Sequence, residues 1–330
     1  MNNPPEKVLI TGVNGLLAAN AIEAFLDKGY LVTGILRGKN RYRGIQHPNL
    51  ELYDGSFLNM GDLENAIKGC NHVIHIAALT AQGLTKRSDY DKINVEGALK
   101  VLDAAKRNRL KRMVFVSTTN VFGYGCKDQP GDETRPIKSP FSGSFYAQSK
   151  LKAQTQLLIK KGDIELVIVN PTFMLGPYDA KPGSGRIILM GYKKKFVFVP
   201  PGGKNFVHVK DVARGLVEAL EKGRDGEAYL MANENLTYLE FFKILSKITG
   251  QKPALLKIPK GILIFMGFWG SFLRALGLKT ELSLPNMKIL CAHGYYSNQK
   301  AQKELGIHFQ STEKAIADAI HWFRKEGMIR

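Results

Sequence analysis

Cysteine is scarce in this chain. Only Cys70, Cys126 and Cys291 occur among 330 residues, widely spaced and odd in number. That pattern offers no disulfide framework and points to a reducing, cytoplasmic compartment. None stands beside another cysteine or a close pair of histidines, so no metal site is expected. The first residues, MNNPPEKVLITG, lack the basic start and apolar core of a secretory signal. Also missing is a clean run of about 20 apolar residues that could span a bilayer. The nearest stretch, GILIFMGFWGSFLRALGL at 261–278, is broken by glycines and carries Arg274. It reads as a buried or pocket-lining helix, and a membrane-surface helix is the less favoured reading. No compact basic run with interleaved aromatics appears, so nucleic acid is not an expected partner.

Acidic residues are in deficit. Asp and Glu number 29 against 47 Lys and Arg, leaving a net charge of +18. Such a surface attracts anionic ligands, and a phosphorylated small molecule ranks first among them.

What is present is an alternation. KVLITG (7–12) is a β-branched apolar run ending at glycine, and LLAANAIEAFLDKG (16–29) has helical spacing. Further strands are expected at 30–37, 51–57, 71–79, 112–118 and 164–171, with helices at 60–70 and 93–108 between them. Strands alternating with helices predict βαβ units and a parallel sheet covered on both faces. In such a sheet ligands bind beyond the carboxyl ends of the strands.

Those ends carry the motifs. The first strand runs into GVNGLLA, with Gly12, Gly15 and Ala18 in G-x-x-G-x-x-A spacing. The first glycine permits a tight turn and the second lets backbone approach a pyrophosphate at a helix N-terminus. The second strand ends at Arg37, and no acid follows until Glu51. An acid at this place holds a ribose 2′-hydroxyl, whereas an arginine accommodates a 2′-phosphate. NADP(H) is therefore favoured over NAD(H), with Lys39, Arg41 and Arg43 as helpers to Arg37. Residues 145–150 read FYAQSK. Tyr146 and Lys150, four apart, share one helix face, and a neighbouring ammonium would lower the phenol pKa toward neutrality.

Taken together, G-x-x-G-x-x-A, VIHIAA, INVEG, VSTTNVFG, Y-x-x-x-K and VNPTFMLGP resemble the extended short-chain dehydrogenase/reductase family. The order and spacing match over roughly the first 230 residues. Within that family, the dihydroflavonol-reductase and 3β-hydroxysteroid-dehydrogenase-like members are the most similar. The resemblance implies a Rossmann-type doubly wound α/β fold, residues 1–175 binding the dinucleotide with a return segment near 205–230. Residues 176–330 would mainly build a smaller α/β substrate region. It implies Tyr146 as acid or base, Lys150 as its partner, and a hydroxyl on Thr118, with Ser117 as the fallback. It also implies cofactor contacts at Gly12, Asn14, Gly15, Leu16, Leu17, Arg37, Ser56, Phe57, Ala77, Ala78, Pro171 and Met174, besides Tyr146 and Lys150. Asn94 would be structural. Members are often dimers through helices around 93–108 and 145–161.

Three departures stand out. Alanine replaces the third glycine at position 18, Ser56 stands where an acid usually touches adenine, and Phe122 replaces a tyrosine. The expected activity is reduction of a ketone, or oxidation of its alcohol, on a hydrophobic small molecule. Phe265, Phe268 and Trp269 would suit such a substrate, and the Gly- and Pro-rich loop 177–188 would cover it. A nucleotide-sugar epimerase with bound NAD is the alternative, and a non-catalytic cofactor sensor the third reading.

Overall fold

The computed structural model describes residues 4–81, 84–278 and 280–330, with the side chain of Arg41 outside the described set. Its first half comprises β1 (Lys7–Thr11), α1 (Leu16–Asp27), β2 (Leu31–Leu36), β3 (Leu50–Asp54), α2 (Met60–Ile67), β4 (His72–His75), α3 (Arg87–Tyr90), α4 (Gly97–Arg107), β5 (Arg112–Val116), α5 (Phe145–Lys160) and β6 (Glu165–Pro171). A π-helical turn, Asp91–Glu96, joins α3 to α4. There follow β7 (Phe173–Leu175), α6 (Arg186–Gly191), β8 (Phe196–Val199), β9 (Gly203–His208), α7 (Val209–Lys222), β10 (Ala228–Met231), β11 (Glu234–Thr237) and α8 (Tyr238–Thr249). The chain closes with β12 (Ala254–Lys257), α9 (Lys260–Ala275), α10 (Leu284–Cys291), β13 (His293–Gly294), α11 (Gln299–Leu305) and α12 (Thr312–Lys325).

Seven strands form one sheet in the order β3-β2-β1-β4-β5-β6-β10. Every neighbouring pair is parallel. This is the doubly wound α/β fold that the alternation predicts. Its central strands are apolar in their middles and almost wholly buried because helices cover both faces. On one face Val8 and Ile10 pack with Ile22 and Phe25 of α1 and Val212 and Leu216 of α7. On the other, Leu9 and Met113 pack with Ile67 of α2, Val101 of α4 and Leu157 of α5. The strand order reverses between β1 and β4, which opens a crevice at their carboxyl ends. A second, smaller layer holds β11-β9-β13 with β7 paired to β9, and β12 paired to β8. Phe206, Phe241, Ile316 and Phe323 are among its core.

Strand β4 stops at His75 rather than running to residue 79. The Thr11 hydroxyl accepts the N–H groups of Ile76 at 3.1 Å and Ala77 at 3.2 Å, so a side chain replaces the ladder there. Another expectation is corrected in part. Helix α9 is not buried: only Leu263, Gly267 and Gly270 are covered along it. Phe265, Phe268 and Trp269 point outward with 64%, 65% and 51% of their surface exposed, whereas Ser271, Arg274 and Ala275 of the same helix line a cavity, as the pocket-lining reading expects. The three aromatics could not reach the core because α10 packs on the opposite side, where a Cβ on Gly267 would come within 2.9 Å of Met287. The 177–188 loop is braced within itself rather than loose. The buried Asp179 carboxylate accepts N–H bonds from Gly183 at 3.1 Å and Gly185 at 2.8 Å, fixing a turn. The Pro177 carbonyl is tied to Asn20 of α1 at 3.0 Å.

Candidate active site

Tyr146 lies in the first turn of α5, behind Ser144, whose hydroxyl accepts the Ala147 N–H at 3.5 Å. Lys150 follows one turn later on the same face. Its side chain is buried; Nζ donates to the Val116 carbonyl at 2.5 Å and sits 4.2 Å from the Phe115 ring centroid. Val116 ends β5, and two residues on, the Thr118 side chain engages the Tyr146 phenol. The end of this strand is held from a third side. Asn170 Nδ2 donates to the Thr118 carbonyl at 3.0 Å and to Gln154 Oε1 at 3.3 Å. The Ser117 hydroxyl is buried without a partner among the described residues and does not join the pair.

Electrostatics here differ from the sequence expectation. Burial pushes the Tyr146 phenol up to about 12, with the Thr118 contact pulling the other way. Burial also brings the Lys150 ammonium down to about 7. Lys150 is not among the influences on the phenol, because desolvation strips the ammonium of its charge well below the pH at which the phenol gives up its proton. Desolvation outweighs the i, i+4 attraction. The phenol therefore carries its proton throughout the neutral range, which suits a proton donor. Near Lys150, His75 stays neutral, held down to about 3 by burial and by the Lys150 charge. Its Nδ1 lies 2.8 Å from the Thr11 hydroxyl, and its ring stacks on Phe115.

Across the crevice, Gly12 has φ +79°, and a Cβ there would fall 2.8 Å from Ala77 Cα. Only glycine fits, and only a small residue fits opposite it. The Gly15 N–H donates to the Gly12 carbonyl at 2.9 Å, and α1 then begins with no side-chain cap. The N–H groups of its first turn have no intrahelical acceptor and stand at the positive end of the helix dipole. A narrow backbone cradle facing an uncapped helix start fits the pyrophosphate of a dinucleotide. Asn14 and Gly15 are exposed at the mouth and Leu16 is half-buried. Leu17 contributes only its N–H, since its side chain is in the core. Pro171 and half-buried Ala78 stand on the same side of the sheet as strand ends. Met174 packs against the core under α1 and α7.

A model of the NAD dependent epimerase/dehydratase family matches residues 8–232. The chain belongs to that family. A protein of Synechocystis sp. that carries a dihydroflavonol 4-reductase name is 30% identical over 97% of this chain and 95% of its own. The 4-hydroxy-2-methyl-3-oxo-4-farnesyl-3,4-dihydroquinoline-1-oxide ketoreductase of Stigmatella aurantiaca is 27% identical over 95% of each chain. Among solved structures, that of gox2253 superposes with a TM-score of 0.84 at 28% identity, covering 98% of this chain and all of that one.

Members of this family bind a nicotinamide cofactor, and the loop after β2 bears on which one. Arg37 is exposed and forms no ion pair among the described residues. Asp54, at the end of β3, turns toward this loop. Its carboxylate accepts the Gly38 N–H at 2.8 Å and the Lys39 N–H at 3.4 Å, which holds it below the usual carboxylate range. An acid adjacent to the site is thus consumed in shaping the basic loop. Lys39 and Arg43 are exposed there, and the side chain of Arg41 lies outside the described residues. Ser56 donates its N–H to Asp62 at 2.9 Å, and Phe57 packs edge-on to His75. Asn94 bridges Leu79 and the Ser149 hydroxyl (2.9 Å), tying the β4 loop to α5, which is a structural role.

Sequence reasoning missed one charged group next to Thr118. Beyond Thr118 a cavity opens, walled by Thr118, Asn120, Thr172, Phe173, Lys204 and Tyr296. Burial brings the Lys204 ammonium down to about 8, and Nζ lies 4.5 Å from the Phe173 ring centroid. It comes from GGKNFVHV, a phrase whose glycines mark only a strand start, so no local signal set this lysine apart. A second cavity of about 340 Å³ lies by Phe145, with Tyr90, Ser271 and Arg274 in its wall.

Proposed function

We propose that the protein is an NADP(H)-dependent oxidoreductase that reduces a ketone, or oxidises its alcohol, on a hydrophobic small molecule. The observation carrying this reading is the Tyr146 phenol, kept protonated by burial and engaged by Thr118, at the strand ends that face the α1 cradle. Residues 1–175 with the return segment 205–230 would hold the cofactor, and 176–330 would build most of the substrate side. Gly12, Gly15 and the first-turn N–H groups of Leu16 and Leu17 would take the pyrophosphate, and Arg37 the 2′-phosphate. When bound, the nicotinamide gives or takes the hydride.

The chain's own residues do the rest. Tyr146 donates its proton to the substrate oxygen during reduction and recovers it in oxidation. Thr118 gives that oxygen a second hydrogen bond, so charge developing on it meets placed donors. Once the phenol has lost its proton, the resulting anion lies one helical turn from Lys150. The lysine is then drawn back to its charged form, since an opposite charge in a dry site raises an amine pKa. Lys150 is in this sense a reserve of positive charge, called on only when the phenolate forms.

The ketoreductase name of the Stigmatella relative supports a carbonyl on a lipophilic skeleton. Lys204 supports a different reading, because a buried ammonium beside Thr118 also suits the phosphates of a nucleotide sugar. Fluorescence titration with NADPH and NADH in parallel separates the two. Tight NADPH binding, with the preference eroded in Arg37→Asp, is the expected result. NAD copurifying with the protein would move the assignment to an epimerase, and failure of either cofactor to bind would leave a non-catalytic relative.

A further inference from the structure

Helix α9 presents its apolar side to solvent. Ile262, Phe265, Phe268, Trp269, Phe272 and Leu276 are each more than half exposed. They recur at three- and four-residue spacing and form one continuous stripe. No charge falls within that stripe: Lys260 stands at its start, and Arg274 turns inward to donate to the Leu84 carbonyl at 2.6 Å. The inner side of the helix is small: Gly267 lets α10 approach closely, and Gly270 does the same for Leu282 in the segment leading into it. Folding therefore gains little from the outer residues, and an exposed apolar stripe of this size marks an interaction surface.

The charges around it say what covers it. Lys257 and Lys260 flank the start of α9, and Lys288 lies exposed on α10. None of the three forms an ion pair among the described residues. The acid that follows the helix, Glu281, is already held by Arg186 at 2.5 Å. Upstream, Lys193, Lys194 and Lys195 lead into β8, where Phe196 and Phe198 point outward, and Leu256 stands beside Phe198 on β12. Two residues after β12 the chain enters α9. Aromatic and aliphatic tips ringed by unpaired lysines match the layered chemistry of a bilayer surface, apolar beneath an anionic headgroup plane. A second copy of this chain is a poor occupant, since each copy carries a net charge of +18. Among the described residues no helix is long and apolar enough to cross a membrane, so a docked α9 would lie in the interface.

We propose that the outer face of α9, with its flanking lysines, docks onto an anionic phospholipid bilayer. The inner face bears Ser271 and Arg274, which wall the cavity next to Phe145. A docked α9 thus separates the lipid from that cavity by the width of one helix. That a lipid-dissolved substrate enters there rests on the reductase reading; docking itself does not.

The test is flotation of the full chain with phosphatidylcholine vesicles, with and without phosphatidylglycerol. The protein is expected to float with the anionic vesicles alone, to be released by high salt, and to show a blue-shifted Trp269 emission. The other tryptophan, Trp322, is buried and does not interfere. Phe265→Glu/Phe268→Glu should reduce the bound fraction by roughly tenfold or more with an unchanged circular dichroism melt. Should that variant fail to fold, Lys257→Glu/Lys260→Glu keeps the apolar stripe and should still lose the preference for anionic lipid. Wild-type protein left behind by anionic vesicles would overturn the proposal. So would a folded double variant that floats as well as wild type. A dimer dissolved by the same substitutions, without vesicle binding, would name a second copy as the occupant instead. Vesicle binding is read without turnover, so this proposal and the reductase reading fail separately.

Discussion

Helix α5 hides a charge, whereas α9 displays its hydrophobic residues. In α5 the ammonium of Lys150 is enclosed among Phe115, Val116 and His75, without a carboxylate. In α9 an aromatic stripe faces water while glycines fill the packed side. Each arrangement costs folding free energy, since a desolvated charge and an uncovered apolar face are both unfavourable. Yet the two costs serve different ends. The buried lysine sits one helical turn from half-buried Tyr146, whose phenol is desolvated, at the ends of the sheet, where a proton could be passed. The exposed stripe has no titratable side chain within it, so it can make only contact. Strain of the first kind marks chemistry, and of the second kind recognition.

The contrast breaks first at Tyr146. Tyr146→Phe keeps the ring and its packing and removes only the hydroxyl, so cofactor binding and melting should be retained. Turnover should fall by about a thousandfold, within the range of a lost general acid. Steady-state assays with NADPH and a hydrophobic ketone measure it. Unchanged turnover would show that the polar cluster in α5 is a packing feature after all.

Lys150→Met gives the next effect, and it runs in opposite directions in two measurements. The folded protein holds this amine at about 7 against its ordinary 10.5, so folding disfavours the charged form. Below about 7 the full penalty applies, because the amine is charged in both states. As pH rises toward 10.5 the unfolded amine also loses its proton and the penalty disappears. Thermal melts of the cofactor-free variant should therefore lie several degrees above wild type near neutrality and converge with it toward the alkaline end. His75 stays neutral throughout that window and adds nothing to the slope. Turnover should fall even as stability rises. A variant less stable than wild type at every pH would show that the Val116 hydrogen bond outweighs desolvation.

Much of this was legible before any coordinates. The sheet, the glycine turn and the Tyr–Lys spacing are local patterns, and each fell where its spacing put it: Gly12 at positive φ, Tyr146 and Lys150 on one face. What was not legible depends on contacts between distant segments. Nothing within FYAQSK shows that β5 will take up the lysine, so its pull on the phenol was overestimated. Nothing within PYDAKPGSGRII shows that Asp179 will cap its own loop. Lys204 comes to line the cavity beyond Thr118 only because β9 passes the end of β6 through β7. The stretch 261–278 was hydrophobic enough for a core, and which of its sides would be covered was decided by α10.

The smallest effect sharpens the comparison within α9 itself. Leu263 is buried on the inner side, whereas Phe268 is exposed on the outer. Leu263→Ala removes packed atoms and should cost about 2–5 kcal/mol in denaturant unfolding. Phe268→Ser removes a larger side chain but few contacts, and should change stability by no more than about 0.5 kcal/mol. The larger residue should matter less, because stability follows the surface withdrawn from water and not the size of the side chain. If Phe268→Ser proves as costly as Leu263→Ala, the outer stripe is covered in solution by the protein's own chain or by a second copy. A bilayer would then have no free face to meet, and the contrast between the two helices would vanish.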